Sequence, residues 1–422
     1  MLRTRWTVKD RVAKRLGGVY MKATSKALIC SVSDASVASQ IFSNRQKFPK
    51  PTQQYEVLEL YGPNLVSCEG REWQHHRRHT ATIFNEKNST LVWKEAIQQT
   101  QQMIEHWREA SPDTAEKGFM VEKLKADGLK LTLTILSNAG FGVPIPFKPV
   151  PQGLDKGPEG IFKDATVPPE GFDFTFRAVL AYISAHIATV ILAYKVVPKW
   201  FPRQLVPVWG KQVAAYRDLD AYLNKLIAAP KAEKDNFEST ANLIDGMLLS
   251  SRRAIHQGAN DGGLSDIEIM GNTFIFTIAG HETTAATFSY ALLLLALHQD
   301  VQEWLHRGIV EATREEPPEA ADWDYTSLFP KLATPLCVML ETMRLFPPVI
   351  TVPKSTGNTA SSINYNGKDY VLPPNVAINV NVHVLHLSEE YWGSDAKHFH
   401  PQRWHIENKE SFLAKNADIP GL

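Results

Sequence analysis

The spacing of apolar positions changes several times along the chain, and each change marks an expected element. Two short β-type runs, around Val19–Met21 and Ala27–Val32, precede a helical stretch at Ala35–Ser43. Pro and Gly interrupt residues 46–70, which predicts a long loop. From Trp73 to about Glu109 the pattern is helical, and another helix is expected over roughly Met120–Asn138. The proline-rich segment Gly140–Pro169 reads as a surface excursion. The strongest predicted helix runs from about Ser265 to His298 and opens on the capping box Ser265-Asp266-Ile267-Glu268. At 1.5 Å per residue it is a rod of about 50 Å. Its second half, Ala291–Leu297, is apolar all round, which predicts burial. Helices over about 299–315 and 331–346 follow. After Pro347-Pro348 come short β-type runs at Val349–Pro353, Ser362–Tyr365, Tyr370–Leu372 and Val376–Asn379. The expected fold class is mainly α with a small β subdomain.

Residues 178–197 form the most apolar window, close to the length that a membrane-spanning helix needs. His186 and Lys195 lie inside it, and Pro198, Trp200, Phe201 and Pro202 close it. A buried or membrane-touching helical hairpin over about 174–205 fits better than a span. The first eighteen residues carry six basic residues and one acid with no apolar stretch behind them, so no secretory signal is read there. Val8, Val12 and Leu16 fall at helical spacing, which leaves a mitochondrial-type presequence as an alternative to an ordinary polar lead-in.

Charge and cysteine content narrow the function. Forty-five basic residues balance 45 acidic ones, so the basic excess of a nucleic-acid binder is missing. Cys30, Cys68 and Cys337 are too few and too scattered for a disulfide framework or a thiolate zinc site, and a reducing compartment fits best.

Four motifs carry candidate chemistry. Trp73 and Arg77 are i and i+4 on one helix face, within Trp73-Gln74-His75-His76-Arg77-Arg78-His79. His75 and His79 share that spacing, but no carboxylate or Cys stands between them to complete a metal site. Ala279-Gly280-His281-Glu282-Thr283-Thr284 places Gly and two β-branched alcohols inside a helix. That patch is locally unfavourable by up to about 1 kcal/mol at Gly, which suggests a bend or a close approach. The metalloprotease pattern H-E-x-x-H fails there, because Ala285 stands four residues after His281. Glu341 and Arg344 share a helix face among apolar neighbours, and such a charge pair needs further partners if buried. Arg403, in Pro401-Gln402-Arg403-Trp404, is the candidate third member.

In this order and spacing, W-x-x-x-R, A-G-x-E-T-T, E-x-x-R before a Pro-Pro turn, and P-x-R-W resemble the cytochrome P-450 family over about residues 19–410. Phe48-Pro49-Lys50-Pro51, Tyr61-Gly62-Pro63-Asn64-Leu65 and Phe84-Asn85-Glu86-Lys87-Asn88 look like its fungal microsomal branch. The resemblance implies a single cytochrome P-450-like domain over residues 1–422. Its activity would be a monooxygenase using haem b, dioxygen and electrons from an NADPH-dependent reductase. The substrate would be an apolar small molecule of the secondary-metabolite kind, and the setting the cytoplasmic face of the endoplasmic reticulum membrane. It gives Glu282 and Thr283 the proton-delivery role, and makes Ala279 and Gly280 the small residues beside oxygen and substrate. Trp73, Arg77 and Lys354 fall to the haem propionates, and Glu341, Arg344 and Arg403 to a structural charge triad on the proximal side. Lys354 stands where many members carry Arg and supplies charge without a bidentate fork.

Two departures stand out. The family's membrane anchor is not seen, and the fold is expected to be truncated at its C-terminal end. Eighteen residues follow Trp404 and none is Cys, so no metal ligand is assigned. The helix that follows the cysteine loop in the family would otherwise cover part of the Ser265–His298 helix, and without it Leu and Ile side chains would be exposed. The rival readings are a catalytically incompetent truncated fragment and a haem-free interaction protein.

Overall fold

Side-chain caps decide where the helices begin. Asp34 accepts from Val37 N (2.9 Å), Asn85 from Asn88 N (3.1 Å) and Asn242 from Asp245 N (2.9 Å), each satisfying an orphan amide of a first turn. The capping box at Ser265 is formed: Glu268 Oε2 accepts from Ser265 N (2.8 Å), and Ser265 Oγ accepts from Glu268 N (3.4 Å). The computed structural model describes residues 10–25, 27–111, 118, 120–148, 161–162, 167–196, 209–228, 242–257 and 262–404. Its longer helices are α1 (Arg11–Leu16), α2 (Ala35–Ser43), α3 (Gly70–Ala81), α4 (Glu86–Ala110), α5 (Leu124–Phe141), α6 (Phe176–Val196), α7 (Gly210–Ala228), α8 (Leu243–His256), α9 (Asp266–Leu297), α10 (Gln299–Ala312) and α11 (Ala333–Leu345). The strands are β1 (Val19–Ala23), β2 (Leu28–Val32), β3 (Val352–Ser355), β4 (Ser361–Tyr365), β5 (Lys368–Leu372) and β6 (Ala377–Val380). The helical pattern of residues 73–109 is therefore two helices, because Asn85 starts a new one after the turn at residues 82–85.

The chain divides into two packed units, one of residues 54–286 and 317–326, the other of residues 1–53, 287–316 and 327–422. The first is helical. Its core is built from α5 to α9 by side chains such as Leu133, Phe176, Leu180, Leu219, Met247 and Phe274. Tyr222 is fully buried among Phe162, Phe172 and Phe176, and its hydroxyl donates to Phe174 O (3.0 Å). Asp218, also buried, accepts from the amides of Asp173 (2.7 Å) and Phe174 (2.9 Å). The proline-rich segment is only partly the expected surface excursion. Ile145, Phe147 and Phe162 are core residues, and Phe147 N is held by Gln99 Oε1 (2.9 Å). The described part of the apolar window is one helix, α6, and residues 197–205 of the expected hairpin lie outside the described residues. The helix kinks at His186 (φ −126°, ψ 22°), where Thr189 Oγ1 takes the His186 carbonyl (2.8 Å) and the imidazole bonds Tyr182 O (3.0 Å). Residues Phe176–Tyr194 are long and apolar enough to cross a membrane by length and composition, and a third of that stretch is buried in the protein.

The second unit holds both sheets. Four strands run in the order β1-β2-β6-β3, with β2 and β6 parallel and the other pairs antiparallel; β4 and β5 form a separate antiparallel pair. Cys30, Val32, Ile41, Phe48, Ile378 and Val380 pack between the larger sheet and α2. A second cluster joins Leu294 and Leu295 of α9 to Val301, Val338, Leu345 and Phe399. Only that stripe of the Ala291–Leu297 run is buried. Leu293 is 52% and Leu297 78% exposed, because the described residues cover one side of the helix, and Leu336 and Met339 of α11 are exposed too. An apolar surface of this kind promotes self-association. Replacing Leu293 and Leu297 by Gln is expected to raise the soluble fraction on expression with little change in unfolding temperature, read by sedimentation and thermal scanning.

Candidate active site

In the helical unit, α3 presents Trp73 and Arg77 on one face, with the Arg77 guanidinium 6.0 Å from the Trp73 ring centroid. Arg77 is exposed, and no described carboxylate pairs with it. An adjoining face of α3, at His76, is clamped to the start of α9. Asn272, fully buried, donates Nδ2 to His76 Nδ1 (2.7 Å) and to Glu268 O (2.8 Å), while its Oδ1 accepts from Leu65 N (2.9 Å). His76 Nε2 lies 3.4 Å from Glu268 Oε1. Burial lowers the His76 pKa against the pull of Glu268, so the ring is neutral near pH 7 and acts as a hydrogen-bonding strut. One turn on, α9 needs Gly271, since a Cβ there would strike the carbonyl oxygens of Gly62 and Pro63. His75 and His79 meet edge to face at 5.0 Å, and His79 Nδ1 bonds Ser250 Oγ (2.9 Å). Among the described residues no group of three His, Cys, Asp or Glu is arranged to hold a metal ion.

The A-G-x-E-T-T patch lies where α9 changes character. Residues 271–275 are all buried, whereas Ala279, Gly280, Glu282 and Thr284 are exposed. A Cβ on Gly280 would meet only Leu136 Cδ2, at 3.7 Å, so packing within the protein does not demand glycine there. Thr283 Oγ1 donates to Ala279 O (2.7 Å) and Thr284 Oγ1 to Gly280 O (2.7 Å). His281 faces the other way. It is 3% exposed, its Nδ1 bonds Thr277 O (2.6 Å), and burial lowers its pKa.

The second unit contains the charge triad. Arg344 forks onto Glu341 through Nε and NH2 (both 2.8 Å), and Arg403 Nε reaches Glu341 Oε1 (3.1 Å). His400 N (3.0 Å) and Trp404 Nε1 (2.8 Å) also donate to this carboxylate, which is fully buried. Burial alone would raise the Glu341 pKa, but hydrogen bonds and charge from Arg344, with help from His400 N and Trp404, hold it below the ordinary value. Arg403 turns its other donors to Asp395 (2.9 Å), and that carboxyl is pulled down to about 2 by hydrogen bonds from His400 and Arg403. Arg344 also donates to the carbonyls of His386 (2.7 Å), Ala396 and His398 (3.2 Å), and lies 5.0 Å from the Trp392 ring centroid. Lys354 is half-buried on β3, opposite Ile378 of β6.

The three cysteines are core residues. Burial pushes the Cys30 and Cys337 thiols up to about 11 and raises Cys68 as well. Of the residues singled out in the sequence, Trp73 and Arg77 lie side by side on α3, Glu341, Arg344 and Arg403 are joined by hydrogen bonds, Glu282 and Thr283 are chain neighbours on the turn of α9 that begins at Ala279, and Lys354 stands on β3. Sequence reasoning missed His76, Asn272, Asp395 and Trp404 as supports. Only Trp404 had a local signal, as the neighbour of Arg403 in P-x-R-W.

A family model described as cytochrome P450 matches residues 4–420. A cytochrome P-450 monooxygenase of Arthrobotrys oligospora is 30% identical over 417 residues, covering 96% of this chain and 68% of that protein. One from Postia placenta is 32% identical over 384 residues, covering 88% of this chain and 66% of the relative. The crystal structure of a cytochrome P-450 superposes with a TM-score of 0.70 at 18% identity, over 95% of this chain and 81% of that one. The chain belongs to the cytochrome P-450 family of monooxygenases.

Proposed function

We propose that this protein binds haem b and oxidises an apolar small molecule of the secondary-metabolite kind, with electrons from an NADPH-dependent reductase. The observation that carries the reading is the Ala279–Thr284 turn. A buried helix opens there onto two small residues, an acid and two alcohols, at a glycine that the surrounding packing does not require. In the helical unit the exposed Arg77 guanidinium, with Trp73 beside it on α3, suits a cofactor carboxylate, and in the other unit Lys354 on β3 offers a point charge of the same kind. A thiolate to hold the iron is another matter. Cys30, Cys68 and Cys337 are buried thiols held protonated at neutral pH, and none suits a thiolate ligand. When bound, haem supplies the iron chemistry by which one atom of dioxygen enters the substrate and the other leaves as water. The protein's part is proton traffic. Thr283 Oγ1 holds a proton at the open turn, and the exposed carboxylate of Glu282 next to it can replenish that proton from solvent. The apolar α6, with Leu192 and Tyr194 on its exposed side, supports attachment to a membrane surface, read here as the cytoplasmic face of the endoplasmic reticulum.

Haem titration followed at the Soret band tests the cofactor. Saturable binding is expected, and Arg77→Met should weaken it by roughly 10- to 150-fold, the equivalent of one charge-assisted contact. The reduced, carbon-monoxide-bound spectrum of residues 1–422 should lack a thiolate-type band. Such a band from any of the three cysteines would overturn the ligand reading, and no saturable binding at all would overturn the function.

A further inference from the structure

We infer that Thr132, on α5, is a positioning residue that sets the turn of α9 carrying Glu282 and Thr283; the inference rests on the proton-delivery reading of that turn. A ladder of side-chain donors climbs the buried face of α9 at every fourth residue. Thr273 Oγ1 donates to Ile269 O (2.8 Å), Thr277 Oγ1 to Thr273 O (2.7 Å), and His281 bonds Thr277 O through Nδ1 (2.6 Å). A carbonyl acceptor requires His281 to carry its proton on Nδ1, the tautomer that a neutral buried imidazole can adopt. The ladder then leaves the helix. The His281 carbonyl, within the turn that bears Glu282, is reached by Thr132 Oγ1 of α5 at 2.9 Å.

That hydroxyl has one proton and two other carbonyls in range, Gly128 O at 3.0 Å and Leu129 O at 3.3 Å of its own helix. A helical Thr ordinarily bonds back to the carbonyl four residues earlier. Here the bond to α9 is the shortest of the three, so the proton is shared between α5 and α9. An extra donor on a helix carbonyl tilts its peptide plane, and the peptide held in this way is the one joining His281 to Glu282. One turn further along α5, Leu136 is the neighbour that a Cβ on Gly280 would meet. Leu136 and Thr132, one turn apart on α5, thus approach two successive residues of this turn, Gly280 and His281, and of the two only Thr132 holds it by a hydrogen bond.

Thr132→Val keeps the shape and removes the donor, while Thr132→Ser restores it. Amide hydrogen exchange of the full chain, without haem, reads the turn directly. In Thr132→Val, peptides covering 279–286 should exchange about 2- to 10-fold faster, the range expected for loss of one neutral hydrogen bond, with peptides covering 266–275 unchanged. The serine variant should return to the original rate. In a haem-loaded form of the protein that has first been shown to make product, the setting for every peroxide measurement that follows, Thr132→Val should also divert electrons from product to hydrogen peroxide, in the same direction as Thr283→Ala. Unchanged exchange at 279–286, or an increase spread evenly over the chain, would overturn the assignment. Local acceleration without diversion, where Thr283→Ala does divert, would also overturn it. If Thr283→Ala diverts nothing, the proton-delivery reading fails, and the exchange rates still decide whether Thr132 sets the turn.

Discussion

Replacing Arg344 by Met is expected to remove about 3–5 kcal/mol of stability, the cost of breaking one partner out of a buried ion pair. The substitution leaves Glu341 buried with Arg403, His400 N and Trp404 as its remaining donors, and strips hydrogen bonds from the carbonyls of His386, Ala396 and His398. Domains are generally stable by only about 5–15 kcal/mol, so the variant should accumulate as insoluble protein or unfold at markedly lower urea. The double variant Glu341→Leu with Arg344→Met should cost less than the two single changes added together, because no lone charge is left buried. The same pair has a pH signature. The Glu341 pKa is lower in the folded protein, so its contribution is complete above its ordinary value and is lost as pH falls below it.

A second large effect is expected between pH 6.5 and 4. His386 is pushed from 6.5 down to about 4, first by burial and then by the Arg344 charge beside it. Its Nδ1 is buried without a hydrogen-bond partner. In this window the unfolded chain binds a proton that the folded protein refuses, so stability is full above pH 6.5 and falls as pH drops toward 4. The loss approaches about 3 kcal/mol by the linkage relation. His76, His79 and His281 are shifted in the same direction and add to the slope. Urea unfolding at pH 7 and pH 4.5 measures the total, and His386→Asn should flatten the part due to this residue. An unaltered slope in that variant would assign the acid lability to the other histidines.

Local grammar made much of this legible. The Ser265 capping box, the strand runs after the Pro347-Pro348 turn and the i,i+3 pairing of Glu341 with Arg344 depend on residues a few positions apart, and each is formed, with the first run, read as Val349–Pro353, displaced to Val352–Ser355. Two local signals were passed over. Asn85 ends one helix pattern and caps the next, and Thr189 takes the His186 carbonyl where α6 kinks. Other features carry no local trace. Asn272 is a hub because Leu65 and His76 come to it from some 200 residues away, and Thr132 meets His281 across 149 residues. The Ala291–Leu297 run illustrates the opposite error. An all-round apolar helix implies burial only where neighbours cover every side, and here the described neighbours cover one.

The sheet order has a consequence for how the chain is made. β2 lies beside β6 in parallel, with Ile29 opposite Ala377, so β2 leaves the ribosome about 350 residues ahead of its partner. At about 5–20 residues per second, β2 waits roughly 20–70 s for its partner, while the helical unit is complete over most of its length by Ala286. During that interval only β1 covers β2, and the edge that β6 will occupy is a template for wrong pairing. Closing so long a loop is also a slow step in its own right. Nascent chains stalled before residue 377 should therefore need chaperone protection at the β1–β2 hairpin, and should lose that need once β6 has emerged.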